Sequence, residues 1–521
     1  MQAKEVSPPC LKLLVVIFCV FITAFHLGLA HSGKSIRRDS HLGTALEYAH
    51  GKIDLLRPTM VGFNATGTPT AQEFPVWQAA AGLMFHATGS THYAWANLVS
   101  LLLFATALWP FFQLARHYVG ERAAWWSLVF FLAEPLIIVT SGQAATDGFC
   151  LAAILWFLFC ADKMIRSGGW VWWIPTALFA ALSAVSKLPF FMAAGFTSVF
   201  ILWLNGARLW KPWVLLASAG VFAAAMFLLW TRYTDSLAVR AEYAFVDLRV
   251  NENPWLKYWF FGDLKFRLSA GAWIKGGWRF LHGTLGSLPV AAVFVLAWIH
   301  PGNRLPKLWL LATFITTLIF THLVLVHWHY YLMCCPAVAL LCGETLARWE
   351  PIWQARTSRH GLTFLLAGGM LAFSAIDGLT AMKIQLAYDP FPQEMAQVLR
   401  EKTLPTDKLI LYDSSVRWGG EELFASDRHG FYVYGIDNVQ GGNSSKGLRD
   451  LLNNDTDLAR LKVLGYNKIV LLSESPMQFA AQAINPSGKR RRYTYPASIS
   501  PRVDAWPVVF QDENIEIKEI P

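Results

Sequence analysis

Apolar stretches as long as a membrane is thick recur throughout the first 381 residues of the chain. A helix needs about 20 mostly apolar residues to cross a bilayer. This recurrence predicts a polytopic α-helical membrane protein with about 11 transmembrane helices. It excludes an ordinary soluble enzyme and a disordered chain. The candidate spans are residues 11–30, 92–115, 122–140, 147–163, 169–186, 188–204, 212–231, 284–300, 308–326, 330–346 and 361–381.

The distribution of charge separates a C-terminal domain from this region. Residues 382–521 contain 17 Lys and Arg and 18 Asp and Glu, which makes this part 25% charged, whereas the whole chain is 15% charged. Soluble domains carry about 25% charged residues. Apolar runs such as "KLILYD" and "NKIVLLSE" alternate with helical patterns, and this alternation predicts a soluble α/β domain. We therefore expect a membrane region at 1–381 and an α/β domain at 382–521.

The seven cysteines all lie in or beside the apolar runs, and the C-terminal domain contains none. No pair has the CxxC spacing of a zinc or redox site. We therefore expect free, mostly buried thiols rather than a disulfide framework.

The positive charges of the short loops predict the orientation. Loops on the cytoplasmic side of a membrane are enriched in Lys and Arg, and the pattern is consistent only if the N-terminus is cytoplasmic. In this orientation, Lys187 is the only Lys or Arg in the short outer turns. An odd number of spans puts the C-terminal domain outside. The short inner loops hold Arg116, Arg122, Lys163, Arg166, Arg208, Lys211, Arg304, Lys307, Arg348, Arg356 and Arg359.

Two outer loops are long, at about 31–91 and 232–287. The second carries eight Lys and Arg against five acids. One interpretation is a solvated basic loop. The other is a binding surface for an anionic or phosphate-bearing ligand on the outer face.

Ionisable residues at the outer ends of spanning helices are candidates for function, because a membrane makes them costly. A carboxylate among them could act as general base, while the cationic side chains could hold a leaving phosphate. Simpler roles stay open for several of them: Asp147 could cap a helix, Lys187 could snorkel, and the histidines could be interfacial or bind a metal. The candidates are Arg38, Asp39, Glu73, Asp147, Lys187, His327, His329 and Tyr330.

Six motifs in order resemble the GT-C glycosyltransferases, over about residues 11–381. They are similar above all to the branch with the aminoarabinose transferases of lipid A and the protein O-mannosyltransferases. The motifs are "RRDS", "QEFPVW", "LARHYVGERAAWWSLVFFLAEP", "GQAATDGF", "SKLPFF" and "HWHYYLMCCPAVALLCG".

The resemblance implies an inverting transfer of a sugar from a polyprenyl-phosphate donor, on the outer face of the bacterial inner membrane or in the ER lumen. It implies that Asp39 is the catalytic base, that Asp147 is the second acid, and that Lys187 contacts the donor phosphate. His329 and Tyr330 stand where the family has Arg-Tyr. Arg279 is a further candidate for a phosphate contact. It is chosen because it lies in the basic loop, and no family motif supports it.

Two positions depart from the family pattern. Phe74 follows Glu73 where the aminoarabinose transferases have a Lys, and His329 replaces an Arg. The identity of the donor head group therefore stays open.

The sequence thus predicts a glycosyltransferase in the bacterial inner membrane, with its C-terminal domain in the periplasm. Its expected partners are a polyprenyl-phosphate-linked sugar, membrane lipids and a lipid, glycan or protein acceptor, but no nucleic acid. No cofactor is assigned, and a divalent metal is possible. The alternatives are a secondary transporter or lipid-linked-sugar flippase, and a non-catalytic protein that binds a lipid-linked sugar.

Overall fold

The fold is that of a computed structural model that describes residues 9–31, 39–51, 53–59, 73–205, 210–238, 253–300, 302–357, 360–382, 391–413, 421–434, 444–472 and 500–521. The chain is predominantly helical up to residue 382. In this part the helices are α1 (Pro9–His31), α2 (Asp39–His50), α3 (Val76–Thr88), α4 (Tyr93–Ala105), α5 (Leu108–Val119), α6 (Glu121–Ala133), α7 (Pro135–Thr140), α8 (Asp147–Ser167), α9 (Trp173–Ser186), α10 (Leu188–Leu204), α11 (Trp210–Ala238), α12 (Pro254–Phe261), α13 (Leu264–Arg267), α14 (Ala270–Phe280), α15 (Leu288–Ile299), α16 (Arg304–Ile319), α17 (Thr321–Val326), α18 (Cys335–Thr357) and α19 (His360–Ala381).

Five segments of the described chain are long and apolar enough to cross a membrane. A bent pair, Ala270–Leu285 with Leu288–Ile299, gives a sixth if it counts as one span. The membrane-protein class is thus supported, whereas the number of eleven spans is not confirmed. The five segments are Pro9–Leu29, Tyr93–Val119, Asp147–Ser167, Trp210–Leu237 and Phe364–Ala381.

Helix breaks account for part of the difference in number, and two other predicted spans are shorter apolar helices. The predicted span at 122–140 is interrupted between α6 and α7 at Glu134, which has an extended backbone and precedes Pro135. A residue before proline is disfavoured in the helical conformation. The predicted span at 308–326 is likewise divided into α16 and α17 at Phe320. Hydropathy detects the apolar run but not the interruption.

The chain forms two compact units. The first contains Met1–Ile36, His92–Trp230 and Tyr258–Ala387, and the second contains Arg37–Thr91, Thr231–Lys257 and Tyr388–Pro521. The second unit therefore combines most of the first long loop with the C-terminal domain, in addition to part of the second loop.

Close contact between α6 and α18 is central to the first unit. A Cβ atom at Gly343 would lie 2.6 Å from the Cα atom of Ser127, so only glycine allows this approach. Glu350 adds a polar contact: its carboxylate accepts hydrogen bonds from Arg122 Nε (2.8 Å) and Trp126 Nε1 (2.9 Å). All seven cysteines are free. Cys150, Cys160, Cys334, Cys335 and Cys342 are buried as expected, whereas Cys10 is exposed and Cys19 is partly exposed.

The C-terminal domain contains a mixed five-stranded sheet in the order β2-β1-β3-β5-β4. β1 pairs in parallel with β2 and β3, and β5 pairs antiparallel with β3 and β4. The predicted α/β class of this domain is therefore confirmed. Its strands are β1 (Lys408–Asp413), β2 (His429–Tyr434), β3 (Tyr466–Leu472), β4 (Val508–Gln511) and β5 (Ile515–Glu519).

Apolar side chains cover both faces of this sheet. Alternate residues of a strand point to opposite faces: in β1, Ile410 belongs to one buried cluster, and Leu409 and Leu411 belong to the other. Five helices accompany the sheet: α20 (Phe391–Lys402), α21 (Glu421–Ser426), α22 (Ser444–Asn453), α23 (Asp455–Val463) and α24 (Pro501–Asp504), all within the described residues.

Candidate functional site

A buried ion pair joins two of the predicted site residues. The Nζ atom of Lys187 donates a hydrogen bond to Oδ1 of Asp147. The side chain of Lys187 is 2% exposed and that of Asp147 is 0% exposed. A snorkelling lysine would keep its ammonium group in water, so that alternative is wrong for Lys187. The pair holds two opposite charges inside the first compact unit.

The position of Asp147 follows from the turn that precedes α8. Thr146 occupies the capping position, and Asp147 is the first helical residue. The simple capping role for Asp147 is therefore not observed. A carboxylate in the first turn of a helix is nevertheless favoured by the helix dipole.

Buried polar side chains from α1 and α4 hold the turn itself. The Nε2 atom of His26 lies 2.7 Å from the carbonyl oxygen of Ile138. The hydroxyl of Ser100 donates to the carbonyl oxygen of Gln143 over 2.6 Å, and Asn97 donates to the carbonyl oxygen of His26 over 3.2 Å. Because these bonds fix the backbone before α8, they also fix the start of that helix.

Lys187 lies at a helix break between α9 and α10. Its backbone is extended, with φ −151° and ψ 98°, and Pro189 stands in the first turn of α10. The Nζ atom lies 5.8 Å from the ring centre of Phe190 and 5.6 Å from that of Tyr330. Both distances allow an attraction between the cation and the π face of the ring. The break thus directs the ammonium group inward, between a carboxylate and two rings.

The "HWHYY" segment forms another break. His327 connects α17 to a 3-10 helix at Trp328–Met333. The ring centres of His327 and His329 are 5.3 Å apart, and those of His329 and Tyr330 are 4.4 Å apart. Trp259 contacts His327 with a ring distance of 4.9 Å. A row of rings therefore extends from Lys187 through Tyr330 to both histidines.

Arg279 lies beside the same segment. In α14, its Nη1 atom donates a hydrogen bond to the carbonyl oxygen of Leu325, two residues before His327. A Cβ atom at Gly276, one turn earlier, would lie 2.5 Å from the Leu325 side chain. This close packing of α14 against α17 holds Arg279 near the break.

The other predicted residues belong to the second compact unit. Asp39 is the first residue of α2, and its side chain and all of Arg38 lie outside the described part of the structure. The Oε2 atom of Glu73 lies 3.2 Å from Nε2 of His41, which is two residues after Asp39. The role of Asp39 as catalytic base and that of Glu73 as a site residue remain predictions.

A metal ion would need a cluster of suitable side chains. Within the described ranges, which omit the side chain of Asp39, no group of three or more His, Cys, Asp or Glu side chains could hold a metal ion.

Two further ionisable side chains that were not predicted from the sequence are prominent in the structure. Glu134 is buried in the break between α6 and α7, and the dipeptide Glu134-Pro135 inside an apolar run was the available signal. His41, the partner of Glu73, carried no signal in the sequence, because its contact joins residues more than 30 positions apart.

Comparison with known proteins gave results only at the level of structure. No family model matches the chain, and no curated protein matches it in sequence. The crystal structure of ArnT from Cupriavidus metallidurans in the apo state is similar, with a TM-score of 0.57 and 13% identity over 96% of this chain and 97% of that chain. The same protein bound to undecaprenyl phosphate has a TM-score of 0.57 and 13% identity, with 98% of each chain covered.

A third similarity is to the arabinofuranosyltransferase AftD from Mycobacteria, with a TM-score of 0.49 and 14% identity over 90% of this chain and 35% of that chain. The ArnT similarity is the more informative, because it covers both chains almost completely. At 13% identity it establishes the fold alone. The resemblance to the GT-C glycosyltransferases is thus confirmed at the level of the fold, which is similar to that of ArnT.

Proposed function

We propose that this protein is an inverting glycosyltransferase that moves a sugar from a polyprenyl-phosphate-linked donor to an acceptor on the outer face of the membrane. The observation that carries the proposal is the buried Asp147–Lys187 pair beside the ring of Tyr330. It occurs in a chain whose fold is similar to that of a protein crystallised with undecaprenyl phosphate.

In the proposed reaction, Asp39 acts as general base. Its carboxylate takes the proton of an acceptor hydroxyl or amine, which attacks the anomeric carbon of the sugar. The bond between that carbon and the phosphate oxygen breaks, and polyprenyl phosphate leaves with the bonding electrons. A single displacement from the opposite side inverts the anomeric centre.

The cationic and aromatic side chains stabilise the leaving phosphate. Lys187 offsets the negative charge that develops on the phosphate. Its ammonium group is buried, and charge interactions are stronger away from water. His329 and Tyr330 form the wall next to it, and Arg279 is a further phosphate contact. Asp147 acts through Lys187 by holding the ammonium group in place.

We further propose that the protein lies in the bacterial inner membrane, with a cytoplasmic N-terminus and a periplasmic C-terminal domain. Residues 1–381 would form the catalytic membrane region. The acceptor would be a lipid, a polysaccharide or a protein.

A transporter or flippase is the second candidate, because broken helices with charged residues at the breaks are typical of secondary transporters. The break at Lys187 is of this kind. The similarity in fold to ArnT over nearly the whole chain favours the transferase.

The deciding experiment measures release of polyprenyl phosphate. Purified protein in lipid is incubated with a panel of polyprenyl-phosphate sugars and a membrane extract as acceptor. We expect release by the wild type and a loss of at least about a hundredfold in Asp39→Asn, as for removal of a general base. Asp450→Asn, an exposed residue of α22, is the matched control and should retain activity. Movement of the intact donor across the bilayer without release would favour the flippase.

A further inference from the structure

Two imidazole–carboxylate contacts join α2 to the C-terminal domain inside the second compact unit. Nδ1 of His429 lies 3.2 Å from Oε1 of Glu47, and Nε2 of His50 lies 2.9 Å from Oδ1 of Asp427. The two imidazole rings meet edge to face with centres 6.2 Å apart. Each side therefore supplies one histidine and one acid. We call Glu47, His50, Asp427 and His429 the histidine contact.

Apolar packing accompanies the histidine contact. The rings of Phe85 in α3 and Phe424 in α21 have centres 6.3 Å apart. A Cβ atom at Gly82 would lie 2.6 Å from Cβ of Tyr48, so α3 lies directly against α2. Both helices of the first long loop are thus attached to the C-terminal domain.

The attached helix begins at Asp39, eight residues before Glu47. At a rise of 1.5 Å per residue, Glu47 lies about 12 Å along the helix axis from Asp39. The histidine contact therefore holds α2 at this distance from its first residue. We propose that the C-terminal domain positions the helix that carries Asp39 through the histidine contact, and that protonation of His429 strengthens this hold. The catalytic role of Asp39 rests on the proposed function, whereas the contact itself does not.

The charges around His429 determine the direction of the pH effect. The hydrogen bond to Glu47 raises the pKa of His429; burial opposes this, Asp427 adds to it, and Lys408 reduces it. Because the pKa of His429 is higher in the folded state than in the unfolded state, the stabilisation that its protonation provides is complete below the unfolded pKa. It is lost as pH rises through the folded pKa. The histidine contact should therefore be strongest in mildly acidic solution and weak in alkaline solution.

Two further titratable groups face this region. Nδ1 of His86 in α3 lies 3.1 Å from the carbonyl oxygen of Ala49. Burial and Glu47 raise the pKa of Tyr466 in β3, so this phenol stays neutral in the range where histidine titrates. Lys408 lies over the ring of Tyr466, with Nζ 5.8 Å from its centre.

The test follows hydrogen exchange of the α2 amides in the full-length protein in lipid, from about pH 5.5 to about pH 8.5, where histidine changes charge. Exchange is divided by the intrinsic rate at each pH. In the wild type, we expect protection of α2 to fall as pH rises. Glu47→Gln and His429→Gln should each lower protection about twofold to fivefold at acidic pH, as for a partly exposed ion pair, and the double variant should add little to either. The control is Glu513→Gln, which makes the same replacement at an exposed position in the turn between β4 and β5. Its protection of α2 should match that of the wild type.

Equal protection of α2 in the wild type, Glu47→Gln and His429→Gln at every pH would overturn the inference. So would a double variant whose loss is the sum of the two single losses. If the wild type releases no polyprenyl phosphate from any donor, the proposed function fails, and the exchange data still decide whether the histidine contact holds α2.

Discussion

At the scale of single residues, the Asp147–Lys187 pair dominates the candidate site. Moving two charges out of water is costly, and their attraction compensates only when the geometry is good. Here the two groups are in direct hydrogen-bonding contact, and both are buried. Such a pair often adds little net stability, but the loss of one partner leaves an uncompensated buried charge.

The first prediction concerns this pair. Lys187→Met should lower the free energy of unfolding by about 3 to 5 kcal/mol, because Asp147 loses the buried ammonium group that donates a hydrogen bond to it. The double variant Asp147→Asn with Lys187→Met should regain most of the melting temperature but not the release of polyprenyl phosphate. Thermal melting of the purified variants in lipid checks this. Lys462→Met, at an exposed position in α23, is the control. Wild-type melting of the single variant would contradict a structural role for the pair.

The individual site residues could be predicted because they are exceptions to an apolar pattern. Asp147, Lys187 and Tyr330 all stand in or beside runs of apolar residues. Their contact could not be predicted, because it joins positions 40 residues apart or more, and no periodicity encodes such a distance. The pairing of Glu73 with His41 escaped prediction for the same reason.

At the scale of the elements, helix breaks supply most of the site. Lys187 and His327 each lie between two helices, with an extended backbone at the junction. A broken helix leaves backbone groups without helical partners, so breaks are tolerated where the surrounding protein is well packed. Hydropathy predicted the apolar stretches but not these breaks, because an average over about 20 residues hides a change at one.

The second prediction concerns the contact between α6 and α18. Gly343→Ala should destabilise the protein by about 1 to 3 kcal/mol, because the added methyl group would overlap the backbone of Ser127. Gly195→Ala in α10 is the control: nothing lies within 4 Å of the added Cβ atom, so the change should be neutral or slightly stabilising. Melting temperatures in lipid compare the two. Equal melting temperatures would contradict the tight approach of α6 and α18.

At the scale of the whole molecule, the domain boundary that composition indicates differs from the boundaries of the two compact units. The rise in charge after residue 381 predicted an α/β domain, and a five-stranded sheet is present in this part of the chain. That α2 and α3 pack with this domain had no signal in the sequence, since neither segment resembles a strand or a domain of its own. Amphipathic helices can bury their apolar face against a membrane or against protein, and only the fold distinguishes the two.

The third prediction tests the orientation. Val463 in α23 is 77% exposed, so a cysteine at this position would react readily. In intact cells, Val463→Cys should be labelled by a maleimide that cannot cross the inner membrane. The native Cys10, which is exposed near the N-terminus, should be labelled only after the membrane is permeabilised. The opposite pattern would place the C-terminal domain in the cytoplasm.

The histidine contact also has a consequence for the order in which the protein is made. His50 and Asp427 are separated by 377 residues, and Glu47 and His429 by 382. At ribosomal rates of about 5 to 20 residues per second, α2 is synthesised about 20 to 75 s before its partner strand exists. During that interval α2 lacks the acid and the histidine that the C-terminal domain supplies to the histidine contact. The second unit can be assembled only when synthesis is nearly finished.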